Sequence, residues 1–292
     1  MNKKQDRILT IALWVLLVAS VLPLLHYGRR ALITDRFVIK GVSMEPTLHT
    51  GQGVWVNKLL MGPRIYTKFD FESPELHCIR LPGLRRLRVG DVAVFNYPYG
   101  RHGDTIAFKI NYVYCKRCGG TPGDTVRIVD GRLEIPGQAG DDGRMFWDDG
   151  RMAGDGRWPR VLGEIPDSVL LERRVLRAGQ FAGEGERWTI KDFGPIVVPK
   201  RGETIVLDSI TRRHYARVID WEGRSPVKPG MTESVPGTAE SVPGTAERGP
   251  AETYTFRQDW YFFVGDNQVD SKDSRYIGFV PADFVVGIVP GR

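Results

Sequence analysis

"YVYCKRCGGTPGDTVRI", Tyr112 to Ile128, holds two alternating segments separated by Gly-Gly and a Pro-Gly-Asp turn. Alternation gives a strand two distinct faces, and such a turn reverses the chain, so the stretch reads as strand, turn, strand. Period two puts Tyr112, Tyr114, Lys116 and Cys118 on one face of the first strand, and Val113, Cys115 and Arg117 on the other. Lys116 then shares its face with aromatic rings and a thiol. Lost hydration penalises the charged ammonium and lowers its pKa, and a neutral lysine can act as a general base. A surface charge on an edge strand fits the local sequence equally well.

The same residues have a metal reading. Cys115-Lys-Arg-Cys118 has the spacing of a zinc knuckle, but a structural zinc needs four ligands. The remaining cysteine is Cys78, and its neighbour His77 is adjacent rather than spaced as a chelating pair. A redox pair would sit at a helix N-terminus in a βαβ setting, which the flanking sequence lacks. Cysteines serving as small apolar side chains are the simplest reading, and no metal is expected.

Outward from this stretch a turn-then-strand pattern recurs in "HTGQGVWV" (49–56), "RVGDVAVF" (88–95), "TPGDTVRI" (121–128) and "KRGETIVL" (200–207). Glycine supplies the turn and alternation gives each strand a buried face. Helical periodicity is scarce beyond the N-terminus. The chain of 292 residues is therefore expected to be mainly β and antiparallel. A net charge of +6, with both signs mixed along the chain, suggests no nucleic-acid partner.

The N-terminus differs from the rest. "ILTIALWVLLVASVLPLL", Ile8 to Leu25, runs 18 residues without a charge, close to the length that crosses a bilayer as a helix. Bulky, charged residues follow it instead of a small-x-small cleavage site, so it reads as an uncleaved anchor. Lys3, Lys4 and Arg7 before it balance Arg29, Arg30 and Arg36 after it, which leaves its orientation open. "DDGRMFWDDGRM" (141–152) and "ESVPGTAESVPGTAE" (233–247) repeat at a seven-residue spacing. The first reads as a solvated loop. The second has almost nothing to bury and reads as a disordered excursion, within a loop over 225–252.

A base needs a nucleophile. In "KGVSMEPTLHTGQGVWV", Ser43 follows an apolar-rich segment between Gly41 and Pro46, which bend the chain and expose the hydroxyl. An ordinary Ser-x-x-Pro turn has the same local pattern.

Taken together, the anchor, "SMEPTL" (43–48), "RVGDVAVFNYP" (88–98), "KRCGGTPGDTV" (116–126) and "GDNQVDSKDSRYIGFVP" (265–281) resemble bacterial type I signal peptidase. This is the membrane-anchored serine/lysine endopeptidase of peptidase family S26. The resemblance implies an antiparallel coiled β-sheet fold with one N-terminal transmembrane helix and a second, β-rich inserted region. It implies that Ser43 attacks the substrate carbonyl and that neutral Lys116 takes its proton. It further implies that Ser271 hydrogen-bonds the lysine, that Asp273 and Arg275 support the site, and that Gly265 and Asn267 shape the turn beneath it. Gly41, Val42 and Met44 are expected to bind substrate. Lys109 is the rival base, but it lacks the following arginine and the Pro-Gly-Asp turn.

Some positions depart from the family pattern. Gly41 stands where many members carry a second serine that donates to the oxyanion, and Gln268 stands where an arginine is usual. The expected organisation is a cytoplasmic tip and anchor over 1–35, catalytic core over 36–135 and 191–292, and an inserted β-rich or loop region over 136–190. "DFGPIVVPKRGETI" (192–205) looks like a segment of the family's long variants.

The implied substrates are the signal peptides of exported preproteins, cut after small-x-small residues. The implied setting is the bacterial inner membrane, with a single-pass, monomeric chain whose catalytic part lies outside the cytoplasm and needs no cofactor. Trp55, Leu59, Leu60 and Met61 are candidates for a surface resting on lipid. Gly-Thr-Ala before Glu240 or Glu247 has the form of a self-cleavage site. The alternatives are another serine/lysine peptidase, a catalytically inactive membrane-anchored binding protein, and a zinc-stabilised envelope protein.

Overall fold

The computed structural model describes residues 3–68, 70, 73–99, 105–136, 162, 165–176, 181, 188–224 and 252–291. Both sequence repeats, and the Gly-Thr-Ala segments with them, lie outside the described residues. The elements in order are α1 (Lys3–Leu32), β1 (Thr34–Val38), β2 (Gly53–Asn57), β3 (Arg64–Tyr66), β4 (Cys78–Arg80), β5 (Val92–Asn96), β6 (Val113–Gly120), β7 (Thr125–Val129) and β8 (Arg132–Glu134). They continue with α2 (Asp167–Glu172), β9 (Phe193–Val197), β10 (Thr204–Val206), α3 (Ser209–Arg224), β11 (Thr253–Thr255), β12 (Trp260–Val264), α4 (Ser274–Ile277), β13 (Val280–Pro281) and β14 (Val285–Ile288).

Seven strands form the main sheet in the order β1-β2-β14-β5-β6-β12-β13, every pair antiparallel. All four glycine-led segments become strands, β2, β5, β7 and β10. Their turns place Gly51, Gly90, Gly123 and Gly202 at φ between 81° and 90°. A side chain there would strain the backbone, so the repeated glycine is a requirement of each turn.

Period two sorts the core. On β5, Val92 and Val94 join a smaller cluster with Ile39, Met44, Leu48, Val54 and Val56, while Ala93 and Phe95 join the larger one. β6 divides likewise: Val113 and Cys115 pack on the small cluster, Tyr114 and Cys118 on the large one. The middle of the sheet is thus covered on both faces. On β12, "WYFFV" is continuously apolar and buried at all five positions, and all five side chains join the large cluster, which covers both faces of this strand. Each such side chain contributes about 1.5–3 kcal/mol of burial.

The expected inserted region over 136–190 lies mostly outside the described residues. The described residues of 136–190 hold the short helix α2 and none of the named strands. There Leu170 and Leu176 pack with Leu162 and Ile190 in a separate small cluster. The second sheet, β8-β7-β9, is built instead from the segments flanking that span. Helix α3 departs from the expected scarcity of helix beyond the N-terminus. Its start is capped by Asp208, which accepts from the Ile210 and Thr211 amides at 2.9 and 2.7 Å. Tyr215, Val218 and Glu222 recur at helical spacing on its buried face.

Candidate active site

α1 has a segment, Arg7–Leu32, long and apolar enough to cross a membrane, with none of its apolar window buried in the protein. Only Ile33 separates α1 from β1, and the junction is tied. Arg29 donates to Thr34 Oγ1 at 2.8 Å, Lys58 Nζ to the Arg30 carbonyl at 2.6 Å, and Arg30 pairs with Asp35 at 3.0 Å. The Arg29 guanidinium also lies over the Trp55 ring, 5.4 Å from its centroid. Trp55 is exposed, whereas Leu60 and Met61 pack against the large core cluster.

After β1 the chain stays pinned to the β2 side through Ile39 N to Gln52 O at 2.9 Å. It then turns through 41–47, the bend expected from Gly41 and Pro46. Ser43 lies in this turn. On β6, Lys116 is 3% exposed, and its Nζ hydrogen-bonds Ser43 Oγ across 73 residues of sequence. Burial lowers the Lys116 pKa; the negative charges of Asp273 and Asp266 oppose the shift, and Arg275 reinforces it. The Lys116 ammonium position also lies 5.5 Å from the Tyr114 ring centroid, so the expected face-sharing is realised.

The segment 265–275 completes the site from below. Asn267 N donates to the Ser43 carbonyl at 3.1 Å, and Asn267 Nδ2 to the Val42 carbonyl at 3.2 Å. Asp273 and Arg275 are both buried and paired through two contacts, at 2.9 and 2.8 Å. Asp273 also accepts from the Gly265 amide at 2.9 Å. Burial alone would raise the Asp273 pKa, but the Arg275 charge and these hydrogen bonds outweigh it and hold the carboxyl below its usual range. Ser271 is buried next to Gly265. Its Oγ makes no hydrogen bond to Lys116 or to any other described group, yet it lies close enough to Asp273 to help depress that carboxyl.

One pair was missed by sequence reading. Arg117, on the opposite face of β6 from Lys116, forms a buried fork with Asp266 at 2.7 and 2.6 Å. It also donates to the Gly90 carbonyl at 2.7 Å and to Thr47 Oγ1 at 3.3 Å. It thereby ties β6, the turn after β12 and the Ser43 loop together. Of the other residues singled out, Lys109 lies in the loop before β6, and its carbonyl accepts from Asn96 Nδ2 at 2.8 Å. His77 pairs with Glu75 at 3.3 Å. Cys78 is on β4 and Cys115 and Cys118 are on β6, and none of the three is in a disulfide. Among the described residues no group of His, Cys, Asp or Glu could hold a metal ion.

A cleft of about 770 Å³ opens beside Ser43, lined by 36–44 on one side and 110–116 on the other. Gly41, Val42 and Met44 all line it: Gly41 and Val42 at its exposed side, Met44 with its side chain in the core beneath. β12 pairs with β6 only over Arg117–Gly120, so residues 113–116 keep one unpaired edge, as does β1 on the side away from β2. The cleft lies between these two edges.

A serine hydroxyl bonded to a buried lysine, at the end of a cleft between strand edges, defines a serine/lysine hydrolase arrangement. The sequence model of the family described as "Signal peptidase, peptidase S26" matches residues 9–173 and 218–291. The chain belongs to that family. The match includes Ser43, Lys116 and the 265–275 segment; it skips 174–217, which holds β9, β10 and the first half of α3.

Signal peptidase I of Pseudomonas aeruginosa is 36% identical over 110 residues, 37% of this chain and 32% of that protein. Signal peptidase I of Bacillus licheniformis is 31% identical over 127 residues, 43% of this chain and 50% of the relative. That of Pseudomonas fluorescens is 33% identical over 118 residues, 38% and 33% of the two chains. The chain thus matches between a third and a half of these relatives' length.

Proposed function

We propose that this chain is a membrane-bound serine endopeptidase that removes signal peptides from exported preproteins. The observation that carries the reading is the hydrogen bond between Ser43 and a lysine buried to 3% exposure, at the end of a cleft flanked by free strand edges. Ser43 Oγ attacks the scissile carbonyl while its proton passes to neutral Lys116 Nζ. The lysine then gives that proton to the departing amine, leaving an acyl-Ser43 ester. A water entering next loses its proton to Lys116 and hydrolyses the ester, which restores both groups. The Ser43 amide, which donates to no group among the described residues, is the oxyanion donor.

An extended peptide adds between the two strand edges and sends alternate side chains to opposite faces. One face, with Ile39, Met44, Val94 and Cys115, is apolar and floored by buried side chains, which suits alanine-sized residues at the first and third positions before the cut. Ser271, Asp273 and Arg275 act as positioning residues beneath the dyad. All these groups come from one chain, which supports a monomer as the working unit. The bilayer holds α1 as a single-pass anchor in the bacterial inner membrane. Exported substrates require the catalytic part to lie on the side away from the cytoplasm.

The test is cleavage of a preprotein by the full chain in detergent or vesicles, beside Ser43→Ala and Lys116→Ala. Each variant is expected to lose at least about 10³-fold in kcat while retaining the wild-type circular dichroism. Normal turnover by either folded variant would overturn the reading.

A further inference from the structure

The opposite face of the cleft is not apolar. Tyr112, Tyr114 and Lys272 line it, with Asp270 at the rim. Tyr112 is 47% exposed, and its hydroxyl lies 3.4 Å from that of Tyr114. Behind them Tyr97 packs against both rings, with centroids 5.1 and 4.6 Å away. The exposed Lys272 extends across Tyr97 with its Nζ 5.5 Å from the ring centroid. Asp270 does not form an ion pair with Lys272 among the described residues, so the ammonium is open to a ligand from the cleft.

Strand geometry fixes which substrate residue meets this wall. If the first and third positions before the cut point to the Met44 and Cys115 face, the second points to the face of Tyr114. We infer that Tyr112, Tyr114 and Lys272 form a subsite for the middle residue of the small-x-small motif, selecting a long side chain that ends in a carboxylate. The aromatic faces cover its methylene stem, and the Lys272 ammonium pairs with its charge. The inference rests on the endopeptidase reading above and adds a preference at a position that the motif leaves free.

The test uses one host peptide carrying Ala-Ala-Ala, Ala-Glu-Ala or Ala-Lys-Ala before the cut, with kcat/KM measured for the unaltered full chain, for Lys272→Glu and for Lys272→Ala. An exposed ion pair predicts a preference of up to about fivefold for Glu over Lys in the unaltered protein. The order should invert in Lys272→Glu and flatten in Lys272→Ala. An equal Glu-to-Lys ratio in all three proteins overturns the subsite while leaving the endopeptidase reading intact. Failure to cut even Ala-Ala-Ala, or cutting that persists in Ser43→Ala, overturns the endopeptidase reading and this inference with it.

Discussion

The Asn267 amide donates to the Ser43 carbonyl at 3.1 Å, so the turn leaving β12 grips the backbone of the proposed nucleophile itself. Gly265, two residues earlier, lies in the same contact. A Cβ at 265 would come within 2.5 Å of Ser271 Cβ and 2.6 Å of the Ser43 carbonyl oxygen, and would overlap Ser271 Oγ. Gly265→Ala should therefore push Ser43 and Ser271 apart. The expected outcome is a kcat lowered by about 100-fold or more, the size of effect that an ångström of misplacement can produce. Wild-type kcat in a Gly265→Ala protein would show that the turn does not set the nucleophile's position.

Lys116 makes a signed prediction about pH. Its pKa is lowered from 10.5 chiefly by burial, and in the proposed mechanism the neutral form is the base. Cleavage should rise with pH through a limb whose midpoint lies below 10.5. Stability follows the same group. Below 10.5 the unfolded chain carries a proton on this lysine that the folded chain resists, so the unfolded state binds more protons and wild-type stability rises with pH. Lys116→Met removes that penalty. It should melt above the wild type near neutral pH, with the gap closing as pH approaches 10.5. A gap that is constant with pH would contradict the buried, neutral amine.

Arg275 balances a carboxylate with no access to water. Arg275→Ala leaves Asp273 charged and unpaired in the core, and about 3–5 kcal/mol of stability should be lost. Replacing both partners, as Asp273→Leu with Arg275→Met, should recover much of that loss in urea unfolding. Activity should stay low in the double variant, because Gly265 N then loses its acceptor. Equal destabilisation of the single and double variants would show that packing, not charge, dominates.

Gly41 marks the place where a second oxyanion donor stands in many family members. A Cβ there meets nothing within 4 Å, so a side chain fits. Gly41→Ser should raise kcat with little change in KM, within the 10²- to 10³-fold that one such donor supplies. Unchanged kcat in both Gly41→Ser and Gly41→Ala would mean that another group already fills that role.

The sequence shows much of the site because its parts lie in short strings with local meaning. Alternation around Lys116 assigns it a face with Tyr114, and the bend between Gly41 and Pro46 presents Ser43. The four glycine-led segments mark β2, β5, β7 and β10 through backbone need alone. The Arg117–Asp266 pair stayed hidden because its members are 149 residues apart and neither belongs to a charge pattern. Arg117 does point away from Lys116, but into a buried ion pair that no neighbouring residue announces. Helix α3 did carry signals, an Asp208 cap and apolar residues at helical spacing, but its many arginines masked the buried face. Near α2, Leu162, Leu170 and Leu176 build a helical packing unit of their own.

The junction of α1 and β1 has a mechanical consequence. One residue, Ile33, joins them, and Arg29, Arg30 and Lys58 lash the two sides together. A loose tether would let the cleft wander over a range of heights above the lipid. With α1 in a bilayer as proposed, this one would set Ser43 at a near-constant elevation, a yardstick by which a client is cut where its own apolar helix runs out.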